Sequence, residues 1–233
     1  MAADRELPTE EPWCCHAARR RERGMIPLAF AIVLAATAAN AAGDAGLPEA
    51  GTYRLDPTHT FVEFKARHFV VGAIRGRFGF TTGTVVVSND PAECTVEVSI
   101  DAGSLSTGDP IRDSDVKGAD FVDAARFPVI TYRGKGLRRS RRGWVIDGIL
   151  TIRGIARSVP VEFTFAGTAP RRPGWPPRLA FQASAAVQRS AFGMIRELRD
   201  QIGMAGEAPD VWIEIDTEAL RQIPALSARS EAE

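Results

Sequence analysis

The residues best suited to chemistry lie between Tyr53 and Phe78, a stretch that contains His59 and His68. Imidazole can bind a metal ion or act as a general base near neutral pH. A metal site needs further ligands, and Glu63 lies on the opposite face of the strand from His68, so the pattern disfavours a metal. We interpret His59 as ordering the Asp56-Pro57 turn and His68 as a buried polar group, with head-group contact by His68 as the functional alternative.

Arg112 and Asp113 form the other pair with chemical potential, on a short predicted helix. Our preferred interpretation is that they attach this segment to the rim of the fold. The functional alternative is a polar mouth that contacts a ligand head group. The sequence contains no Gly-x-Ser-x-Gly elbow, P-loop or dinucleotide fingerprint, so we predict no catalytic residue, no metal and no cofactor.

These residues are positioned by alternating apolar and polar side chains, the pattern of half-buried β-strands. Val62, Phe64, Ala66 and His68 share one face of such a strand. The same pattern recurs along the chain, separated by turn-rich segments, and indicates a sandwich or a barrel. The predicted strands are Tyr53–Leu55, Thr60–Phe69, Ala73–Val87, Glu93–Asp101, Val129–Lys135, Gly143–Ile152, Ser158–Phe165, Arg178–Arg189 and Val211–Asp216.

One segment breaks the strand pattern and predicts a short helix over Pro110–Lys117. Asp109 suits the N-cap, Pro110 the first helical position and Gly118 the position past the end. A helical crossover of this length can cover one end of a barrel.

Several inward positions carry small side chains, namely Ala66, Gly148, Ala183 and Ala185. A solid core requires larger side chains to reach native packing density. Eight-stranded barrels are just wide enough to be filled by side chains or to hold one ligand. Small inward residues favour an open lumen, although they could instead face large neighbours such as Phe64 and Phe163.

The charges balance, with 29 Lys+Arg and 29 Asp+Glu, which argues against nucleic-acid binding. Residues 1–41 combine arginines, a short apolar run from Ile26 and Ala39-Asn40-Ala41, and predict a signal peptide. An uncleaved anchor is the alternative, and either Met1 or Met25 could be the start. We expect a linker over 42–51, one β-domain over 52–218, a polar tail over 219–233, a periplasmic location and no transmembrane segment after cleavage.

A series of short motifs runs along the predicted β-domain: Asp56-Pro57 with His59; Val62, Phe64 and His68; Gly76-Arg77-Phe78; Ser104 to Gly108; Arg112-Asp113; Asp120-Phe121; Phe127-Pro128 with Ile130-Thr131-Tyr132; Gly148 to Gly154; and Arg189-Ser190-Ala191-Phe192-Gly193. Each motif is unspecific by itself, and together they cover about 165 residues. In their order and spacing they resemble the YceI family of exported bacterial proteins.

The resemblance implies an all-β, eight-stranded antiparallel lipocalin-like barrel with a short helical crossover. It also implies a polyisoprenoid ligand, such as an isoprenoid quinone or a polyprenyl phosphate, and no established enzymatic reaction. We therefore expect the following residues to line a ligand-binding lumen: Val62, Phe64, His68, Val98, Ile100, Ile130, Tyr132, Leu150, Ile152, Phe163, Phe165, Ala183 and Ala185.

The chain departs from the family after Arg112-Asp113, where Asp115-Val116 replaces a frequent His-Leu pair. A carboxylate there would repel a phosphate, which favours a neutral quinone-like head group. Two alternatives to a lipid carrier stay open: a stress-linked structural or interaction module whose barrel is filled by side chains, and a lipid-modifying enzyme. The oligomeric state is also open, with a homodimer among the options.

Overall fold

The computed structural model describes residues 46–68, 72–170, 172–194 and 211–223. The predicted signal peptide and all of the predicted tail beyond residue 223 lie outside these ranges. The described strands are β1 (Gly51–His68), β2 (Gly72–Phe78), β3 (Thr81–Val87), β4 (Thr95–Asp101), β5 (Leu105–Ser106), β6 (Val129–Arg139), β7 (Trp144–Ile152), β8 (Ile155–Thr168), β9 (Arg178–Val187) and β10 (Val211–Arg221). The helix among the described residues is α1 (Pro110–Lys117).

The strands close into an eight-stranded antiparallel barrel, because β10 pairs with both β9 and β1. Two of the eight strand positions in the barrel are each occupied by two consecutive segments. β2 pairs with the second half of β1 and β3 with its first four residues. β4 pairs with β3, and β5 continues from β4 at the same strand position and pairs with β2. The predicted fold class is confirmed.

The first strand is longer than the sequence predicts, because Asp56-Pro57 does not end it. β1 runs through this pair, and residues 56–59 form a bulge in the pairing with β10. The Thr60 hydroxyl donates to the Asp56 carbonyl oxygen at 2.8 Å and closes the bulge. Proline is tolerated there because a bulged residue does not have to donate to the neighbouring strand.

The predicted helix is confirmed from Pro110 to Lys117. The Asp109 carboxylate accepts from the backbone amides of Ile111 and Arg112 at 2.9 and 3.1 Å, as an N-cap does. No helix within the described ranges has the length and apolar composition needed to cross a bilayer.

Most strand boundaries differ from the prediction by a few residues, and three of these differences matter most. The expected strand over 73–87 is interrupted at Gly79-Phe80, which divides it into β2 and β3. β9 ends at Val187 and a short 3₁₀ turn over Arg189–Phe192 follows. β10 continues to Arg221, so the predicted start of the tail at residue 219 falls inside a strand.

Arg153 and Gly154 form the tight turn between β7 and β8. Both have positive φ, 53° and 72°, as the two central residues of a type I′ hairpin require. This turn brings the Arg153 side chain to one end of the barrel, where the α1 crossover also lies. We call it the Arg189 end, after the 3₁₀ turn found there, and the opposite end the Leu47 end, where Leu47 packs beside Tyr53.

Candidate functional site

An apolar cavity of about 270 Å³ runs along the inside of the barrel. At the Leu47 end it is lined by Leu47, Pro48 and Val87, and at the Arg189 end by Val122, Met194 and Arg189. Its volume lies just below the ~300–1,000 Å³ of most small-molecule pockets. An apolar space of this kind offers an apolar ligand burial but few polar contacts.

Nearly all the residues predicted to form the lumen line this cavity. They are Val62, Phe64, Val98, Ile100, Ile130, Tyr132, Leu150, Ile152, Phe163, Phe165, Ala183 and Ala185. The thirteenth, His68, ends β1, but its side chain lies outside the described residues. Strand alternation therefore located the wall correctly, and the part that these residues have in ligand binding stays a prediction.

The small inward residues divide into two groups. Ala66, Ala183 and Ala185 line the cavity. Gly148 instead makes room for Tyr132, because a Cβ at position 148 would lie 2.5 Å from the Tyr132 ring and hydroxyl oxygen. The expectation that Gly148 opens the lumen is wrong. At this position the alternative is correct, because the small residue faces a large one, Tyr132.

Tyr132 is a fixed part of the wall rather than a reactive group. Its hydroxyl lies 3.0 Å from the carbonyl oxygens of both Ile146 and Val159, to which it donates. Burial, with a smaller contribution from the Asp147 carboxylate, raises the pKa of this phenol. The Tyr132 hydroxyl therefore serves as a structural hydrogen-bond donor.

Two buried polar atoms in the wall have no hydrogen-bond partner in the part of the chain that the structure describes. They are Thr81 Oγ1 and Trp144 Nε1. The Trp144 ring also lies under the Arg139 guanidinium, 4.0 Å from the ring centroid. Thr60 differs from Thr81, since its hydroxyl is within 2.7 Å of the Thr217 hydroxyl. The wall is thus apolar apart from a few hydroxyl groups, most of which are hydrogen-bonded to neighbouring residues.

The segment predicted as a linker covers the Leu47 end. Its described part contributes Leu47 and Pro48 to the cavity wall. The Tyr53 hydroxyl donates to the Glu49 carbonyl oxygen at 2.7 Å. Arg221 donates to the Ala50 carbonyl oxygen at 2.9 Å. These bonds hold the segment against the barrel.

The α1 crossover and the 3₁₀ turn cover the Arg189 end of the barrel. Arg153 links these two segments to each other. The Arg153 guanidinium donates to the carbonyl oxygens of Ala119 at 2.8 Å and Gly193 at 3.0 Å. Beneath this cover, Val116 and Phe121 of the crossover reach the cavity. Charge-assisted hydrogen bonds from Arg153 to backbone oxygens thus link the crossover to the 3₁₀ turn.

Arg112 and Asp113 attach the helix to Thr107, which directly follows β5, in agreement with our preferred interpretation. Arg112 donates to the Thr107 hydroxyl and carbonyl oxygens at 2.8 and 3.0 Å. The Thr107 amide and hydroxyl donate to Asp113 Oδ1, both at 2.6 Å, and these bonds lower the pKa of Asp113. Neither side chain lines the cavity, although Thr107 does. Their contact with a head group stays a prediction.

Asp56, His59 and Glu218 form a cluster that the sequence did not reveal, with ligand-type atoms within 4.8 Å of one another. Arg178 lies between the acids: its Nη1 is 3.0 Å from Asp56 Oδ2 and also donates to Glu218. His59 Nδ1 lies 2.9 Å from Asp56 Oδ2, which agrees with its predicted role in the turn. With a guanidinium as counterion, the cluster is a salt-bridge network that holds the bulge of β1.

Sequence reasoning missed Arg189, a buried charged residue of the cavity wall that is 8% exposed. A signal for it was present. The inward row of β9 is Leu179, Phe181, Ala183, Ala185 and Val187, and Arg189 is the next residue of the same parity. Val122 and Met194 gave no such signal, because they come from irregular segments without a period.

The sequence was compared with known families and proteins. The sequence model of the YceI-like domain matches residues 53–219. A UPF0312 protein of Yersinia pestis (strain Pestoides F) is 27% identical over 157 residues, which cover 66% of this chain and 81% of the relative. A UPF0312 protein of Yersinia enterocolitica is 26% identical over the same length and shares.

Solved structures share the fold at low sequence identity. The Campylobacter jejuni YCEI protein has a TM-score of 0.56 and 20% identity, covering 77% of this chain and 94% of that one. Burkholderia cenocepacia BcnA has a TM-score of 0.53 and 22% identity, covering 72% and 99%. A domain of Saccharophagus degradans described as polyisoprenoid-binding has a TM-score of 0.53 and 15% identity, covering 75% and 100%.

The family match spans most of the described barrel, including the strands that enclose the cavity and the crossover that covers one end. This chain belongs to the YceI family.

Proposed function

We propose that this protein is an exported, periplasmic lipid carrier that holds a polyisoprenoid in the lumen of its barrel. The observation that carries the proposal is the continuous apolar cavity between the Leu47 and Arg189 ends. A barrel filled by side chains would lack such a space. The description of the Saccharophagus degradans domain, which has the same fold, adds support for this ligand class.

Burial of the tail supplies enough free energy for binding without any polar contact. Each buried CH₂-sized group contributes about 0.8 kcal/mol, so a five-carbon isoprene unit contributes about 4 kcal/mol. About four units give ~16 kcal/mol, against an association cost of roughly 4–15 kcal/mol. Part of a long tail inside the lumen is therefore sufficient, and we expect weak selection for tail length.

The proposal is tested by lipid extraction. The protein is purified from the envelope of its native host, extracted with organic solvent, and the extract is analysed by mass spectrometry. We expect an isoprenoid in near-stoichiometric amount. The stripped protein is then mixed with an isoprenoid quinone or with the same quinone without its tail, and the melting temperature is measured.

We expect the tailed quinone to raise the melting temperature and the tail-free quinone to leave it unchanged. Repeated recovery of no isoprenoid, together with no thermal shift from the tailed quinone, would sink the carrier proposal. Fractionation of the native host checks the periplasmic location separately.

A further inference from the structure

Two neighbouring hairpins at the Leu47 end carry exposed arginines at their tips. The β6–β7 tip presents Arg141 and Arg142, and the β8–β9 tip presents Arg172. The tips lie side by side because β7 and β8 are paired strands. They belong to the Leu47 end, since β8 ends opposite Leu179, which packs in the same cluster as Leu47. We call residues 139–143 and 169–178 together the basic rim.

The basic rim is cationic because the acidic groups around it are engaged elsewhere. The rim itself contains no Asp or Glu. Arg141, Arg142 and Arg172 have no ion-pair partner in the ranges that the structure describes. Asp90, in the β3–β4 turn, accepts from the Ala92 amide at 2.9 Å. The other nearby carboxylates form ion pairs, namely Glu93 with Lys135, Asp147 with Arg138, Asp56 and Glu218 with Arg178, and Glu49 with Arg221.

Two large apolar side chains are exposed beside these charges. Trp175 lies in the same turn as Arg172, whose carbonyl oxygen accepts from the Trp175 amide at 3.1 Å, and it is 67% exposed. Ile223 follows β10 and is 71% exposed. The Arg221 amide donates to the Pro177 carbonyl oxygen at 2.9 Å, so the end of β10 lies beside the β8–β9 loop. Arginine with tryptophan suits a membrane surface, because guanidinium pairs with phosphate and indole lies at headgroup level.

The basic rim borders the end of the cavity that has the less regular cover. Leu47 and Pro48 line the cavity there, and residues 46–50 form neither helix nor strand. The opposite end is covered by α1 and the 3₁₀ turn, which Arg153 links. A bilayer that contacts the basic rim therefore lies next to the less firmly closed end of the lumen.

We propose that the basic rim docks the Leu47 end onto an anionic phospholipid bilayer, with which the lumen exchanges its lipid. Each arginine near an anionic surface strengthens binding by about fivefold, so three arginines contribute roughly 100-fold. Salt weakens this attraction because it screens exposed charges. The exchange of lipid rests on the proposed function, whereas docking is measured without it.

A second group of exposed cations supplies the matched control. Lys65, Arg75 and Arg77 lie on the outer face of β1 and β2. Two carboxylates lie among them, since Glu63 is opposite Arg77 on one side and Glu214 on the other. This face therefore has the same number of cations as the three rim arginines but a mixed charge.

The test is vesicle flotation with the full mature chain. The vesicles contain phosphatidylglycerol and phosphatidylcholine, or phosphatidylcholine alone. We expect wild type to bind the anionic vesicles roughly 100-fold more tightly than the neutral ones, and to lose this preference in high salt. The combined variant Arg141→Gln, Arg142→Gln and Arg172→Gln should fall to the neutral level. The control variant Lys65→Gln, Arg75→Gln and Arg77→Gln removes the same charge and should bind within about 3-fold of wild type, since its cations lie away from the docked end.

Tryptophan fluorescence identifies the side chain that contacts the bilayer. Anionic vesicles with brominated acyl chains are expected to quench the emission of wild type. Trp175→Phe keeps an apolar ring, so it should still bind the vesicles but lose most of this quenching. Unchanged quenching in Trp175→Phe would mean that another face docks, and would overturn the proposal.

The outcomes separate docking from the carrier function. Equal binding of wild type to both kinds of vesicle, or equal losses in the two combined variants, overturns docking by the basic rim and leaves the carrier function intact. Binding to soluble heparin but to neither vesicle assigns the rim to an acidic macromolecule and also overturns the proposal. Docking without uptake of an isoprenoid quinone from the vesicles, by a protein whose melting temperature that quinone does not raise, refutes the carrier function and with it the exchange of lipid.

Discussion

Replacing Ala185 by phenylalanine is expected to block ligand binding without unfolding the barrel. Ala185 lies on the inward face of β9, opposite Ile213 of β10, and both line the cavity. The substitution adds a six-carbon ring to a cavity of about 270 Å³. The ring therefore occupies space that the lipid tail would use.

The expected loss of affinity follows from the displaced tail. If the ring excludes about one five-carbon unit, binding loses up to ~4 kcal/mol at about 0.8 kcal/mol per carbon. That corresponds to an increase of the dissociation constant by roughly 10³-fold. The ligand-free protein is expected to keep its free energy of unfolding within ~1 kcal/mol, because the ring fills existing space.

The matched control is Ala186→Phe, one residue along the same strand. Ala186 is exposed on the outer face of β9, opposite Trp212. It adds the same ring without entering the lumen, so binding and stability should both match wild type. Calorimetric titration with an isoprenoid quinone and urea unfolding of each variant give the two quantities.

Two results would refute this reasoning. Binding by Ala185→Phe within 3-fold of wild type would mean that the tail does not pass residue 185. A loss of ~1–3 kcal/mol in the free energy of unfolding would indicate an overpacked core, as expected for a barrel already filled by side chains.

Four further predictions concern stability. Thr81→Val is expected to stabilise the fold by ~1 kcal/mol in urea unfolding, because it removes a buried hydroxyl that has no partner among the described residues. Thr60→Val is expected to cost ~1–3 kcal/mol, since that hydroxyl bonds to the Asp56 carbonyl oxygen and to the Thr217 hydroxyl. Hydrogen bonds, led by that from Thr58, lower the pKa of Asp56 to about 2, so its contribution of ~1–2 kcal/mol is present above pH ~4 and lost as pH falls toward ~2. Arg153→Ala is expected to cost ~1–2 kcal/mol in urea unfolding and to speed amide hydrogen exchange in the crossover, because two carbonyl oxygens lose their donor.

Each of these predictions has its own contradicting result. An unchanged free energy of unfolding in Thr60→Val would mean that the hydroxyl of Thr60 does not stabilise the bulge. Destabilisation by Thr81→Val would mean that its hydroxyl does have a partner, such as a bound water. In Asp56→Asn the change in the free energy of unfolding between pH 4 and pH 2 should be smaller than in wild type, and an unchanged slope would remove Asp56 as the cause. Uniformly faster exchange throughout the barrel of Arg153→Ala would indicate global rather than local loosening.

Much of the wall was predictable because a strand alternates its side chains with a period of two residues. That period alone assigns residues such as Phe64, Leu150 and Phe163 to the inner face, and all three line the cavity. The helix at Pro110–Lys117 was predictable for a similar reason, since its cap and its terminating glycine are local signals.

Other features depend on pairing between distant strands. The bulge after Leu55 exists because β1 must stay in register with β10 on both sides of Asp56-Pro57, so a pair that signals a turn became part of a strand. The cluster of Asp56, Glu218 and Arg178 arises from the same pairing, which joins residues far apart in the chain.

By itself, then, the sequence determined the class of fold, the inward rows of the strands and the short crossover helix, because these follow from local periodicity and capping. The tertiary structure decided which inward positions remain open. Ala185 lines the cavity, whereas Gly148 is filled by Tyr132, and no local pattern distinguishes them. It also placed Arg189 in the cavity wall and left Asp115 exposed outside it, because covering the end of a barrel brings together segments that have no common period.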